Sequence, residues 1–204
     1  MTTTLSELQQ DALGEIFNIG VGRAAAGLSL IVNDEVLLSA PRVQLVPTAE
    51  VHHTLLGKDY QSFSTVSQNF SGPFDAKAIL IFPENNALTI VSHMLGDDIP
   101  PDELSEYEQE AMCEVGNIIL NACLSALADI FKVSIEGGLP QHQFCDSQNI
   151  VIDGMSQDVV LVLQVDMSIS QEHVEGHLLF VLSVNSLEGM ISYLDAYLAS
   201  QGLL

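Results

Sequence analysis

The chain has 204 residues, of which 48% are hydrophobic, and its formal net charge at pH 7 is −22. A chain of this length and composition can bury a sizeable core without disulfides or metal ions, as one large domain or as two small intertwined halves. Its five scattered cations cannot form a basic patch, which argues against nucleic acid and anionic membranes as partners, while the acidic charge indicates solubility or a salty habitat.

The first predicted element is a long helix over about Ser6–Val32, where apolar residues recur with the helical period. A strand and a short helical or irregular segment follow it. Two further strands are predicted over about Gln61–Phe70 and Ala76–Phe82, separated by the turn residues Ser-Gly-Pro. A helix over Glu84–Leu95 closes this part of the chain, and a polar, proline-bearing link from Gly96 leads onward.

The same order of elements then repeats. A second long helix is predicted over about Ser105–Lys132, with a capping box of Ser105 and Glu108 at its start and Asp102 as a rival cap. Two strands over about Val159–Met167 and Glu175–Leu182 and a helix over Ser186–Ala199 complete the chain.

A direct comparison of residues 11–43 with residues 110–142 supports an internal repeat at an offset of 99. The identical pairs include Glu15 and Glu114, Asn18 and Asn117, Ile19 and Ile118, and Pro41 and Pro140. Strand pairs with short turns predict antiparallel pairing, and helices must cover such a sheet. We therefore expect an α+β fold with pseudo-twofold symmetry, in which an antiparallel sheet packs against two long helices that lie side by side. Residues 1–204 would form one domain of two halves, about 1–98 and 99–204.

On a helical wheel, each long helix carries one narrow polar stripe opposite a broad apolar arc. The stripe holds Asp11, Glu15, Asn18, Gly22 and Ser29 in the first helix, and Glu110, Glu114, Asn117 and Asn121 in the second. An ordinary solvated helix face is the simplest interpretation. Two observations weaken it: the stripe lacks the Lys and Arg of i,i+4 ion pairs, and the same Glu-x-x-Asn recurs although Asn is a mediocre helix former.

A glutamate and an asparagine on one face suit a particular chemistry. Asparagine has no usable pKa, but its amide can hold a water molecule by donating and accepting hydrogen bonds. Holding the attacking water is what hydrolysis of an already labile phosphoryl group needs most. A nearby glutamate can dock to a cation on a partner protein. The site offers neither a nucleophile nor a metal cage, so the substrate would have to complete it.

The pattern [Asp/Ser]-x3-Glu-x2-Asn-x22-Pro resembles the signature of the CheC/CheX/FliY chemotaxis phosphatases. It is present as Asp11, Glu15, Asn18 and Pro41 and again as Glu110, Glu114, Asn117 and Pro140. Residues 72–88 also look like this family, and the resemblance extends over essentially the whole chain. Two copies of the motif resemble CheC, since CheX carries one and dimerises. Glu110 departs from the family pattern, which has Asp or Ser at that position.

The resemblance implies a substrate, a mechanism and partners. The substrate would be the phosphorylated aspartate of a CheY-like response regulator, which would also supply the Mg²⁺ ion, so that this chain needs no cofactor of its own. Asn18 or Asn117 would enter the receiver's active site and orient the in-line water. Glu15 or Glu114 would pair with the receiver's lysine. CheC-type members also bind the receptor deamidase CheD. The internal repeat further suggests a monomer, because it supplies the twofold contact that a single-motif relative obtains by dimerising.

Cysteine content and the N-terminus favour a cytoplasmic protein. The chain has three cysteines, Cys113, Cys123 and Cys145. Their odd number and the lack of a disulfide-framework spacing predict reduced thiols. The first residues carry no signal-peptide pattern, and the longest apolar run has the length of a strand rather than of a membrane helix.

Other candidate sites have weaker support. His52 and His53 are poor candidates for a metal site, because adjacent side chains point in different directions. His142 and Cys145 lack further ligands at zinc spacing, so this segment is predicted to be an ordinary loop. Ser29 and Ser125 have no His/Asp partners that the sequence reveals, so a role as a catalytic nucleophile has no support. Gly20-Val-Gly follows no predicted strand and is therefore not a dinucleotide-binding loop. Gly20 lies on the apolar side and predicts close helix packing. Two other functions remain open: a non-catalytic adaptor of the same fold, and a sensory domain that binds a small molecule.

Overall fold

A computed structural model describes residues 4–39, 42–47, 50–51, 62–96, 100, 103–146, 159–169 and 172–204. These residues form four helices of at least 12 residues and eight strands. The helices are α1 (Glu7–Val32), α2 (Glu84–Leu95), α3 (Leu104–Phe131) and α4 (Val184–Ser200). The strands are β1 (Val36–Leu38), β2 (Arg42–Pro47), β3 (Ser62–Ser71), β4 (Ala76–Pro83), β5 (Glu136–Gly137), β6 (Gln141–Asp146), β7 (Val159–Ile169) and β8 (Glu172–Leu182).

The four helices lie where the sequence predicts them, but one predicted cap is wrong. Helix α1 begins with a capping box, in which Ser6 Oγ accepts from the backbone N–H of Gln9 and the Gln9 side chain accepts from that of Ser6. Helix α3 begins after Glu103, which makes no side-chain cap, and Ser105 lies within its first turn. The predicted partner of Ser105, Glu108, is buried in the core and so cannot reach back to the helix end. Asp102 lies outside the described residues.

The strands form one antiparallel sheet in which each half of the chain completes the other. The central pair is β4 and β8, flanked by β3 and β7. Strands β1 and β2 of the first half pair with β7 of the second, and β5 and β6 of the second half pair with β3 of the first. The α+β class and the antiparallel sheet against two long helices are confirmed.

The predicted loop at His142 to Asp146 is wrong, because these residues belong to β6. His142 pairs with Val66 of β3, and Cys145 pairs with Phe63. The polar residues of this segment conceal a strand whose inward-facing position is a histidine rather than an apolar residue. Since His142 and Cys145 are three residues apart on a strand, their side chains point to opposite faces of the sheet.

Helices α1 and α3 pack against each other and against one face of the sheet. They run antiparallel, since Gly20 lies against Cys123 while the later Gly27 lies against the earlier Ile118. A Cβ atom on Gly20 would lie 2.7 Å from the Cα of Cys123, which confirms the prediction of close helix packing at this glycine. The other face of the sheet carries a smaller apolar cluster, formed by Val46, Val51, Phe63, Ile79, Ile81, Val160, Val162, Leu179 and Val181.

Length and composition alone would also allow α1 and α3 to cross a membrane. Their apolar residues have a different environment here, because one side of each helix lies in the core beneath the sheet. On α1, Phe17 is fully buried and stacks on Phe180 of β8, with 5.2 Å between the ring centroids. The core helix of a folded domain therefore accounts for the apolar character of both segments.

Candidate functional site

The first predicted site is an exposed row on α1. Asp11, Glu15 and Asn18 follow one another at helical spacing, and all three side chains face solvent. They line an open groove of about 600 Å³ between α1 and the start of β2. The remaining lining residues are Gln10, Gly14, Arg42, Val43 and Gln44. Pro41 lies outside the described residues. The residue after it in the sequence, Arg42, is the first residue of β2 and lines the groove.

The second predicted site lies on α3 and differs from the first. Glu110 and Glu114 are exposed, as predicted, whereas Asn117 is half-buried. The Oδ1 atom of Asn117 accepts a hydrogen bond of 2.6 Å from Nδ2 of Asn121. Among the described residues, no such bond restrains Asn18. Pro140 is half-buried beside this helix, with its carbonyl oxygen 4.0 Å from Sγ of Cys113.

The two Glu/Asn pairs lie at separate places on the molecule. Each asparagine precedes the point where its helix crosses the other, which lies near Gly20 on α1 and Cys123 on α3. Because the helices are antiparallel, Asn18 and Asn117 lie on opposite sides of that crossing.

A buried polar cluster beneath the second site was missed by the sequence analysis. Ser64 Oγ and His142 Nε2 are 2.8 Å apart, and His142 Nε2 lies 3.8 Å from Oε1 of Glu108. Desolvation raises the pKa of Glu108 and lowers the pKa of His142. The Oε1 atom of Glu108 finds no hydrogen-bond partner in the described part of the chain. The helical wheel could have revealed Glu108, which falls within the apolar arc of α3.

The Ser-His-Glu composition of this cluster invites comparison with a hydrolytic triad, but burial argues against it. The Glu108 and His142 side chains are 1% and 2% exposed, and Ser64 is fully buried. A nucleophile must contact its substrate, and no substrate reaches these atoms. The cluster is therefore part of the core.

Replacing Glu108 with glutamine should stabilise the protein increasingly as the pH rises. Because the folded-state pKa of Glu108 is raised from 4.5, its stabilising contribution is full below that value and is lost as pH rises through the folded-state pKa. A glutamine amide at this position cannot ionise and avoids this loss. Urea unfolding at pH 5 and pH 8 should show a higher midpoint for Glu108→Gln at pH 8 and a smaller gain at pH 5. The control is Glu110→Gln on the exposed face, and a gain for Glu108→Gln that does not grow with pH would contradict the assignment.

The other predicted candidates occupy ordinary structural positions. Ser29 Oγ accepts a hydrogen bond from the backbone N–H of Val36 and so connects α1 to β1. The three cysteines are free thiols, and Cys123 is buried between the helices, which raises its pKa to about 12. No group of three or more His, Cys, Asp or Glu side chains in the described ranges is placed to hold a metal ion. His52 and His53 lie outside those ranges.

The chain is similar in sequence to known proteins. The family model described as chemotaxis phosphatase CheX matches residues 64–164. The CheY-P phosphatase CheC of Bacillus subtilis is 24% identical over 204 residues, covering 95% of this chain and 97% of CheC. The flagellar motor switch phosphatase FliY of the same species is 25% identical over 161 residues. That match covers 78% of this chain and 42% of FliY, so the chain spans about two-fifths of the length of FliY.

Solved structures share the fold. FliY from Thermotoga maritima superposes with a TM-score of 0.79 at 19% identity, over 96% of this chain and 100% of that one. A CheX–CheY–BeF₃–Mg²⁺ complex from Borrelia burgdorferi matches with a TM-score of 0.51 at 17% identity, over 83% of this chain and 97% of that one. The family match, the relatives and the shared fold agree with the two motif copies on α1 and α3. This chain is similar in sequence to the chemotaxis phosphatases CheX, CheC and FliY and shares the fold of FliY, which is consistent with the CheC/CheX/FliY family.

Proposed function

We propose that this protein is a phosphatase that hydrolyses the aspartyl phosphate of a CheY-like response regulator. The observation that carries the proposal is the Glu/Asn pair, which occurs on the outer face of two long, well-packed helices at equivalent places in the two halves. Relatives named CheY-P phosphatase and flagellar motor switch phosphatase support the same activity. Glu15 with Asn18, and Glu114 with Asn117, form the two sites, while Asp11, Glu110, Pro41 and Pro140 support them.

The proposed reaction is an in-line displacement at phosphorus. The oxygen of a water molecule bonds to phosphorus as the bond to the aspartate oxygen breaks. The products are a free carboxylate and inorganic phosphate, and the proton of the water passes to solvent or to the phosphate. The asparagine amide holds the water in line, and the glutamate docks on a partner cation. The Mg²⁺ ion that neutralises the phosphoryl oxygens belongs to the partner, and the CheX–CheY complex likewise contains Mg²⁺.

Rigid placement of the two pairs favours such a mechanism. Both site helices are anchored by buried residues on the opposite side, such as Phe17 on α1 and Met112 on α3. A side chain on a fixed helix loses little further freedom when it enters a partner's active site, so more of the binding energy goes into orienting the water.

The same proposal includes the surroundings of the reaction. Each half contributes edge strands to the other, which supports one domain made of halves 1–98 and 99–204 and a monomer with an internal twofold relation. Three free thiols are compatible with the cytoplasm. The net charge of −22 disfavours nucleic acid and anionic membrane surfaces as partners.

The test is the decay of a CheY-like receiver that carries radiolabelled phosphate on its aspartate, in the presence of Mg²⁺, with and without this protein. We expect faster release of labelled phosphate with catalytic amounts of the folded protein. Several candidate receivers that decay no faster would contradict the phosphatase proposal. Stable binding of a receiver or of CheD without faster decay would instead support the adaptor alternative.

A further inference from the structure

Three amide side chains form a hydrogen-bonded relay behind the second site. Gln68 Nε2 on β3 donates to the carbonyl oxygen of Gly138 at 2.7 Å and to Oδ1 of Asn121 at 3.3 Å. Asn121 Nδ2 donates in turn to Oδ1 of Asn117 at 2.6 Å. Gly137 leaves the room for this relay, because a Cβ there would lie 3.0 Å from Gln68 Nε2 and 3.2 Å from Asn121 Oδ1.

The Gly138 carbonyl fixes the direction of every bond in the relay. A carbonyl oxygen only accepts hydrogen bonds, so the nitrogen of Gln68 must face it. The same nitrogen then faces the oxygen of Asn121, whose own nitrogen must face Asn117. The oxygen of Asn117 is therefore turned inward toward Asn121. Both N–H donors of Asn117 and one lone pair of its Oδ1 remain for a partner.

Burial of Gln68 indicates that the relay is more than a product of good packing. Gln68 is 3% exposed, and its Oε1 finds no hydrogen-bond partner among the described residues. An unsatisfied buried amide oxygen destabilises a fold, so an apolar residue of similar size would serve the core better. The amide nitrogen of Gln68 spans the gap between the backbone and Asn121.

Among the described residues, the first site has no such relay. Gly22 occupies the position of Asn121 at the offset of 99. The offset of 99 relates Val43 to His142, and these two residues pair with Leu163 and Val66 on the neighbouring strands. Two residues further along those strands, Val165 therefore corresponds to Gln68. Neither Gly22 nor Val165 carries a side-chain amide. The two sites thus have the same Glu/Asn pair and different support behind it.

We propose that Asn121 and Gln68 are positioning residues for the second site. They hold the Asn117 amide in one rotamer and one orientation, with its N–H groups directed outward and its remaining lone pair open, so that the amide can donate to and accept from the attacking water. This inference rests on the proposed phosphatase function. It assigns a pre-oriented amide to the second site and a mobile amide to the first. The relay therefore raises turnover at Asn117 without adding to the surface that contacts the receiver.

The test isolates the second site in the Asn18→Ala variant and adds Asn121→Ala or Gln68→Met to it. Release of phosphate from the labelled receiver is measured over a range of receiver concentrations. We expect each added change to lower kcat about 3- to 10-fold and to leave KM within about twofold, since one restrained side chain is released. Gln68→Met is informative because its site is buried and the partner cannot touch it.

A matched control places an amide at the first site. Gly22→Asn in the Asn117→Ala background has ample space, since a Cβ at Gly22 meets nothing within 4 Å. It should change kcat less than about twofold, because Val165 offers no group to orient the new amide. The ¹⁵N-correlated NMR signals of the Asn117 side-chain amide should also differ between Gln68→Met and its parent, in their line width or in their splitting. This comparison reports on the relay without turnover.

The outcomes separate the two proposals. Failure of the Asn18→Ala parent and of the wild type to hydrolyse the receiver would count against the phosphatase function, while the NMR comparison would still test the relay. If the parent is active and both added changes leave kcat unaltered, the relay does not position Asn117. If Asn121→Ala raises kcat, Asn121 obstructs the site, and the positioning role is overturned.

Discussion

Replacing both Asn18 and Asn117 with alanine is expected to reduce receiver dephosphorylation to the receiver's own rate, a loss of about 100-fold or more in the accelerated reaction. The side chains that precede the two asparagines in their rows are exposed carboxylates, such as Glu15 and Glu114. An ionised carboxylate only accepts hydrogen bonds and cannot hold a water both as donor and as acceptor. The glutamates should still dock, so the variant should bind the receiver while failing to turn it over.

Folding should survive the double replacement. Asn18 is exposed and Asn117 half-buried, and alanine is the better helix former at both positions. The one lost hydrogen bond, from Asn121 to Asn117, contributes about 1 kcal/mol to stability.

The measurement is release of labelled phosphate by wild type, both single variants and the double variant, each with its circular dichroism spectrum. Ser125→Ala on the exposed side of α3 is the matched control and should retain full activity. Each single variant should retain the turnover of the other site. A folded double variant that still accelerates hydrolysis would place the chemistry elsewhere in the molecule.

The exposed positions of the candidate site residues were predictable because they depend on local periodicity. A stripe on a helical wheel is set by the 3.6-residue repeat alone, and the exposure of Glu15, Asn18, Glu110 and Glu114 follows from it. The half-buried state of Asn117 and the relay behind it did not follow, since the relay includes Gln68 and Gly138, which come from a strand and a loop remote in sequence. Tertiary neighbours, rather than the wheel, decide which polar residues of a stripe remain in solvent.

The elements were predictable to a similar degree, and the exceptions share one cause. Helix α2 has the predicted bounds, because its pattern is local. The loop assigned to β6 and the cap assigned to Ser105 were both wrong because His142 and Glu108 are polar residues that face the core, where their side chains lie 3.8 Å apart. The exchange of edge strands between halves was likewise not visible, since pairing such as that of β2 with β7 joins residues that are remote from one another in the sequence.

Gly20→Ala is expected to be the most destabilising of these single replacements. Its new Cβ would lie 2.7 Å from the Cα of Cys123 and 3.0 Å from the carbonyl oxygen of Ala122. Both neighbours are backbone atoms of a helix, which cannot turn away as a side chain does, so α1 and α3 must separate. Overpacking of this kind costs about 1–3 kcal/mol, and the better helix propensity of alanine offsets up to about 1 kcal/mol of it.

Gly22→Ala is the matched control, two residues further along the same helix. A Cβ there meets nothing within 4 Å, so only the helix propensity changes, and stability should rise by about 0.5–1 kcal/mol. Thermal unfolding should therefore shift the two variants in opposite directions, at about 2–4 °C for each kcal/mol in a chain of this size. A Gly20→Ala variant that unfolds at or above the wild-type temperature would contradict the close crossing of α1 and α3. Because that crossing also fixes where Asn18 and Asn117 stand relative to the sheet, a destabilised Gly20→Ala variant should lose turnover at both sites together, whereas loss of either asparagine affects one.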